Sequence, residues 1–384
     1  MRSPQRAISY FQQGDDLTLA GQRYDTIVLN EWNASRIPTF RAANPDVRIL
    51  LYKNSYFLRD DDNASTVGGY TTGANINVNY PSWFMLTAAS ARIKFEYYGA
   101  GSGIWFYAMD WGNTAWQAYW LAQVKVSLAA ADWDGIFADD LYCKKYSAID
   151  VALLNYADHA ALQAASRAWL AYQYAGLHAF GDYRLVPNLV EHKGYHPGLW
   201  TDWLTISDGL MDEHFGHTGL DPTTGYAAYG SWADLVVEEV ALSEAVGKRS
   251  VFNTDAAGYG GGTTLPPLPG TPDHESAMYG YCLYLLAAEG HSEWFASYGG
   301  AYEVPLYLPI QDVQLGAPLG ARMQKTDGLM YRLFERGEVH VNTHGTQTTA
   351  ISGRGWLDAD TLTATQVRTL PATTGCILLR PGYE

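Results

Sequence analysis

Two short phrases set carboxylates where acid–base chemistry could use them. "DGIFADDLY" runs from Asp134 to Tyr142 and ends an apolar run in Asp139 and Asp140. "DGLMDEHFG" runs from Asp208 to Gly216 and ends a second run in Asp212 and Glu213. Aligned on the shared Asp-Gly, Asp139 falls opposite Glu213. Hydrolysis of a glycosidic bond needs two such groups flanking it: an acid that protonates the leaving oxygen, and a carboxylate that acts as nucleophile or base. Asp139 and Glu213 are therefore the expected catalytic pair. Asp140 and Asp212 are expected to support it, by orienting the pair, binding sugar hydroxyls, or replacing it if the register is off by one. Helix caps or solvated loop acids are the alternative reading of all four.

The elements that must hold these groups are short apolar runs alternating with helical patterns. The strand candidates are 7–12, 24–32, 46–54, 135–140, 183–190, 209–214, 249–255 and 292–297. Nearly continuous apolar runs mark parallel strands covered on both faces. Eight βα units over residues 1–300 predict an α/β fold, a (β/α)8 TIM barrel. A doubly wound open sheet is the alternative, but no Gly-rich phosphate turn follows the first strand. Residues 55–103 break the rhythm with a long polar, Gly-rich insertion after strand three, expected to wall the cleft mouth, with Tyr70, Tyr80 and Trp83 as candidate contacts. From residue 301 helical periodicity stops, so a small C-terminal antiparallel β-sandwich domain is expected over 301–384, with no residue from 305 onward joining the barrel sheet.

Barrel chemistry sits at the C-terminal strand ends. Those ends read Gln12 and Gln13, Glu31 and Trp32, Lys53 and Asn54, Asp139 and Asp140, Asn188 and Glu191, Asp212 and Glu213, Asn253 and Asp255, and Glu293 and Trp294. Glu31, Lys53, Asn188, Asn253 and Glu293 are expected to bind substrate hydroxyls, and Trp32, Trp111 and Trp294 to stack on sugar rings.

Composition narrows the partner. The chain has 384 residues, 47% hydrophobic, and a formal charge of −15. That charge disfavours nucleic acid and anionic membranes, because phosphate binding needs a basic face. Aromatics make up 14% of the chain against 17% charged residues, a balance that suits a carbohydrate partner. No apolar stretch reaches the ~20 residues that span a bilayer. The N-terminal "MRSPQRAISYF" lacks a secretory apolar core, and an extracellular or particle-associated setting is expected. Cys143, Cys282 and Cys376 form neither a disulfide framework nor a zinc spacing, and buried free thiols are expected. No cofactor and no metal are expected. The alternative is a metal-dependent hydrolase using His192, His196, His214 and His217. The acidic run around Arg59–Asn63 reads as a solvated loop rather than a calcium site.

"DGIFADDLY", preceded by "MDWGNTAWQAYWLAQV", resembles the glycosyl hydrolase-like family 15 and, more loosely, the barrel of glycoside hydrolase family 114. In such barrels a strand ending in this way follows a segment written like Asp110 to Tyr119. The C-terminal "YRLFERGEVHVNTHG … LPATTGCILLRP" resembles the β-sandwich that closes many such glycosidases. The resemblance implies a glycoside hydrolase acting on an oligo- or polysaccharide, with Asp139 as nucleophile or base and Glu213 as general acid. Retention of configuration is expected by resemblance to barrel glycosidases with acids on strands four and six. A catalytically silent carbohydrate-binding or structural barrel of a larger assembly is the other reading.

Overall fold

Apolar runs bounded by polar turns fold as parallel strands. β1 is Gln5–Ser9, β2 Thr26–Leu29 and β3 Arg48–Asn54. The insertion supplies β4 (Phe57–Arg59), β5 (Lys94–Glu96) and β6 (Trp105–Ala108). β7 (Gly135–Tyr142), β8 (Arg184–Val190), β9 (Met211–Asp212), β10 (Val251–Ala256) and β11 (Glu293–Tyr298) complete the parallel set. The computed structural model describes residues 5–9, 16–60, 76, 78–96, 101–144, 153–190, 192–216, 231–256, 271–298, 301–325 and 328–383. Gln12, Gln13, residues 61–63, Tyr70, Glu191 and His217 lie outside the described residues, as does the side chain of Asp255.

The parallel strands follow the order β1-β2-β3-β7-β8-β9-β10-β11, and β1 also pairs with β11. Helices alternate with them, including Leu17–Arg23, Ile37–Ala43, Thr114–Ala129, His159–His178, Gly198–Leu204, Ser231–Ala245 and Pro272–Leu285. This is the (β/α)8 topology that the strand count predicts. The chain divides into two compact units, residues 13–211 and residues 1–12 with 212–384.

In the 13–211 unit, Leu51, Ile136 and Leu185 are fully buried neighbours on β3, β7 and β8. Asn113, the last letter of the "D-x-G-N" motif, caps the helix Thr114–Ala129 by accepting from the N–H groups of Ala115 and Trp116. The insertion leaves the C-terminal end of β3, with β4 starting at Phe57 after Asn54. It forms a three-stranded antiparallel sheet in the order β4-β6-β5. Tyr80 is exposed and stacks on Trp83 at 4.1 Å, whereas Trp83 is buried against Trp116 and Tyr119.

In the other unit, β12 (Ala301–Leu306) runs antiparallel to β11, with Leu306 opposite Ala296 and Pro305 opposite Ser297. The expectation that nothing from 305 onward joins the barrel sheet is therefore corrected at Pro305 and Leu306. The strand starts where helical periodicity ends, and its antiparallel pairing with β11 carries it to Leu306, two residues into the stretch expected to stand apart. The remaining strands are β13 (Met323–Gln324), β14 (Leu329–Leu333), β15 (Gly337–Asn342), β16 (Thr349–Asp358), β17 (Thr363–Leu370) and β18 (Thr374–Leu379). They make one antiparallel sheet in the order β13-β14-β15-β18-β16-β17. Leu329, Ile351, Leu370, Cys376 and Leu378, from four of these strands, share one apolar cluster. The helix Pro272–Leu285 packs on β18. Gly375 permits that approach, since a Cβ there would lie 2.6 Å from Cys282 Cβ. All three cysteines are buried and free. Among the described residues, no helix is long and apolar enough to cross a membrane.

Candidate active site

The two Asp-Gly phrases begin with the same clamp. Asp134 donates its N–H to Ile49 O at 2.8 Å, and its Oδ2 accepts the N–H of that same Ile49 at 2.6 Å. Asp208 donates its N–H to Leu185 O at 2.9 Å, and its Oδ2 accepts the Leu185 N–H at 2.9 Å. Each phrase thus grips one residue of the preceding strand at two points, which sets the register of everything that follows. Arg41 bonds Asp134 at 2.8 Å, and His178 Nε2 lies 3.1 Å from Asp208 Oδ2. Gly135 completes the first clamp: a Cβ there would sit 2.2 Å from Arg184 O.

At the far end of β7 this register delivers Asp139 beside Asn54 of β3. The pairing with β8 breaks between Ala138 and Leu141, and Asp140 adopts φ 60°. A non-glycine residue in that region is uncommon and concentrates at functional sites. The bulge frees both carboxylates from the ladder, and both are half-buried. Three donors converge on Asp139. Tyr52 O–H donates to Oδ2 at 2.6 Å, while Asn188 Nδ2 and the N–H of Asp140 donate to Oδ1 at 2.9 Å each. Asp140 accepts from Asn54 Nδ2 at 2.6 Å. An ionised carboxylate only accepts, so donors on both oxygens suit a charged group held in one orientation.

Next to this cluster, Lys53 is buried and its Nζ lies 2.7 Å from Glu31 Oε2. Burial holds the Lys53 ammonium below the usual lysine range, while the Glu31 carboxylate pushes the other way. Trp32, in the 3-10 turn Glu31–Arg36, is 58% exposed, the largest exposure of any tryptophan in the described residues. Asp110 is buried behind the insertion, where it accepts from Tyr156 O–H, from Asn155 Nδ2 at 2.9 Å and from Gly112 N–H at 3.0 Å. Burial pushes its carboxyl up, against these three donors.

In the other unit, Asp212 is buried on β9 and accepts from His214 N–H at 3.1 Å. Glu213 is half-buried in the turn after β9, and its backbone carbonyl accepts from Asn253 Nδ2 at 3.0 Å. Asn253 is itself fully buried, so it holds the Glu213 backbone rather than presenting an amide to sugar. Asn188, also buried, is corrected in the same way: its amide is spent on Asp139.

Three further expectations are corrected. Glu293 and Trp294 open β11 instead of ending it, opposite Gln5 and Arg6 of β1. Glu293 is fully buried with Arg249 3.8 Å away, and Trp294 is buried with its Nε1 donating to Thr254 Oγ1 at 3.0 Å. They belong to the N-terminal strand end and the core. Trp111 is fully buried, stacks on Tyr56 at 4.3 Å and donates to Ser55 O, so it is a core ring and not a stacking platform. The residue that sequence reasoning missed is Tyr52, while Asn54 was read as a strand end without a role. The signal was present: two positions apart on one strand, they share a face, and that face meets the site.

The family model described as Hypothetical glycosyl hydrolase family 15 matches residues 41–338, more than three quarters of the chain and both Asp-Gly phrases. No curated protein matches in sequence. Among solved structures, the glycoside hydrolase domain of PelA from Pseudomonas aeruginosa is 15% identical, with 78% of this chain and 97% of that one covered and a TM-score of 0.50. The maltogenic alpha-amylase AmyB from Thermotoga neapolitana is 9% identical, with 97% and 95% covered and a TM-score of 0.51. An alpha-amylase from Malbranchea cinnamomea is 7% identical, with 99% and 97% covered and a TM-score of 0.50. Such identities speak to fold alone, a (β/α)8 barrel. The family match is of another order, because it rests on the sequence itself: the chain belongs to Hypothetical glycosyl hydrolase family 15 and is a glycoside hydrolase.

Proposed function

We propose that the protein hydrolyses a glycosidic bond of an oligo- or polysaccharide with retention of configuration, Asp139 acting as nucleophile and Glu213 as general acid and then base. The observation that supports this best is the convergence of three donors on Asp139 at a bulge in β7, where Asp140 takes a positive φ. In the first step Asp139 attacks the anomeric carbon. The bond to the leaving oxygen breaks, and that oxygen takes the proton of Glu213. In the second step water gives a proton to Glu213 and its oxygen to the anomeric carbon, and the bond to Asp139 breaks. Asp140, fixed by Asn54, and Asp212, beside His214, are supporting groups. The exposed Trp32 offers a ring face to sugar, and Glu31, backed by Lys53, offers a carboxylate to hydroxyls. The carbohydrate partner fits the aromatic-rich, acidic composition.

The test is a panel of oligo- and polysaccharides assayed for newly released reducing ends, with proton NMR of the first anomer formed. Glu213→Gln is expected to lose about 10²–10⁴-fold in turnover on unactivated glycosides, and Asp139→Asn nearly all turnover, both with unchanged unfolding midpoints. Full activity in either variant, or an inverted first product, sinks this assignment.

A further inference from the structure

The two oxygens of Asp139 are held unequally. Oδ1 accepts two donors fixed by strands, Asn188 Nδ2 from β8 and the N–H of Asp140 from the bulge. Oδ2 accepts one, the Tyr52 hydroxyl at 2.6 Å. Tyr52 is itself held in place: it stands two residues before the end of β3, and its ring stacks on Phe137 with centroids 6.2 Å apart. Phe137 precedes Asp139 by two positions on β7, so the same strand face supports the tyrosine ring and carries the carboxylate.

We infer that Oδ2 is the attacking oxygen of Asp139 and that Tyr52 is the residue that controls it, receiving the charge on Oδ2 when the enzyme–sugar bond breaks. This rests on the nucleophile role given to Asp139 above. The chemistry follows from which lone pairs are engaged. Oδ1 is tied to two rigid donors and cannot approach a sugar without losing both. Oδ2 has one donor, and that donor rotates about a single C–O bond. Once Oδ2 bonds to the anomeric carbon it becomes an ester oxygen, a poor acceptor, and the Tyr52 hydroxyl is released. When water displaces the sugar, the electron pair of the breaking bond returns to Oδ2, and the Tyr52 O–H stabilises it there. A charge-assisted hydrogen bond is roughly twice as strong as a neutral one, so the tyrosine favours the carboxylate over the ester. Its help therefore falls on the second step.

The predicted signature is specific. Among the described residues, the groups that hydrogen-bond Asp139 are the Tyr52 hydroxyl from β3, the Asp140 N–H on its own strand and the neutral Asn188 amide from β8, and Glu213 is the titratable group proposed across the substrate. Tyr52→Phe keeps the ring stacked on Phe137 and removes only the hydroxyl. Hydrolysis of the oligosaccharide that releases reducing ends fastest in the panel should show kcat falling about 10-fold or more, with KM falling in parallel. The sugar–enzyme ester then accumulates and kcat/KM changes little. A substrate-free measurement accompanies it: in protein labelled with carbon-13 at the aspartate carboxyls, the Asp139 carboxyl resonance should move from its wild-type position in Tyr52→Phe, because Oδ2 loses its one donor. A merely structural tyrosine would move neither quantity at an unchanged unfolding midpoint. An unmoved Asp139 resonance, or kcat and KM both at wild-type values, overturns the inference. If Asp139→Asn is fully active while Tyr52→Phe still moves the resonance, the hydrogen bond stands and the nucleophile assignment is what has failed.

Discussion

At the scale of single residues, Asp110 shows burial and hydrogen-bond donors acting on one carboxylate in opposite directions. It accepts three hydrogen bonds. Burial outweighs these donors and pushes its carboxyl up. The consequence for stability has a definite sign. A folded-state value above the unfolded ~3.9 means that the native protein binds this proton more tightly than the unfolded chain. The contribution of Asp110 is therefore fully present below the unfolded value and is lost as pH rises through the raised folded value. Asp110→Asn cannot charge. Relative to the wild type it should be least favourable at acid pH and should recover, or become the more stable, toward neutrality. Urea unfolding at a series of pH values measures this, and a pH-independent difference between the two proteins would rule it out.

At the scale of elements, the Asp-Gly phrases are register devices before they are catalytic ones. Asp134 and Asp208 each close a two-point bond with one residue of the neighbouring strand. A strand slipped by one residue would turn every side chain to the opposite face, so these clamps decide which residue of β7 faces Tyr52 and Asn188. Gly135 is the most sensitive point, because a methyl group there meets a backbone oxygen of β8 and no side chain can yield. Gly135→Ala is expected to cost about 1–3 kcal/mol or more, the usual penalty of overpacking. It should also reduce activity, because β7 must part from β8 upstream of Asp139. Denaturant midpoints and turnover measured together check this, and an unchanged midpoint would contradict it.

At the scale of the whole molecule, the C-terminal sheet is an integral layer of the unit that contains residues 212–384. Arg332 of β14 is buried. It donates to Ala288 O at 2.9 Å and to Leu285 O at 3.3 Å, and it pairs with Glu289, all at the C-terminal end of the helix Pro272–Leu285. Helix ends leave carbonyls without partners, and a cation there satisfies them and complements the helix dipole. Arg332→Met leaves those carbonyls buried beside an apolar chain. The expected loss is about 2–3 kcal/mol, seen as a lower urea midpoint and faster proteolysis within 313–384. Wild-type resistance to both would mean that the sheet is held by its apolar contacts alone.

The sequence by itself determined the number and kind of the parallel strands, because continuous apolar runs of strand length leave few other ways to bury their side chains. It also determined that Asp139 stands in the C-terminal half of one of them, because the Asp-Gly phrase fixes the offset; the strand itself runs three residues further, to Tyr142. Tertiary structure decided what surrounds that carboxylate. Tyr52 lies 87 positions away in the chain and Asn188 49, and only strand pairing brings them to it. It decided, too, that Glu293 and Trp294 stand at the start of β11: a polar residue beside an apolar run looks alike at either end, and direction relative to the barrel is set by the neighbours in the sheet. Trp111 makes the same point for aromatics. A tryptophan next to a strand end reads as a platform in one dimension, and in three it is enclosed by Tyr56 and the backbone of Ser55. Local chemistry is written residue by residue, but exposure and partnership are properties of the packed chain.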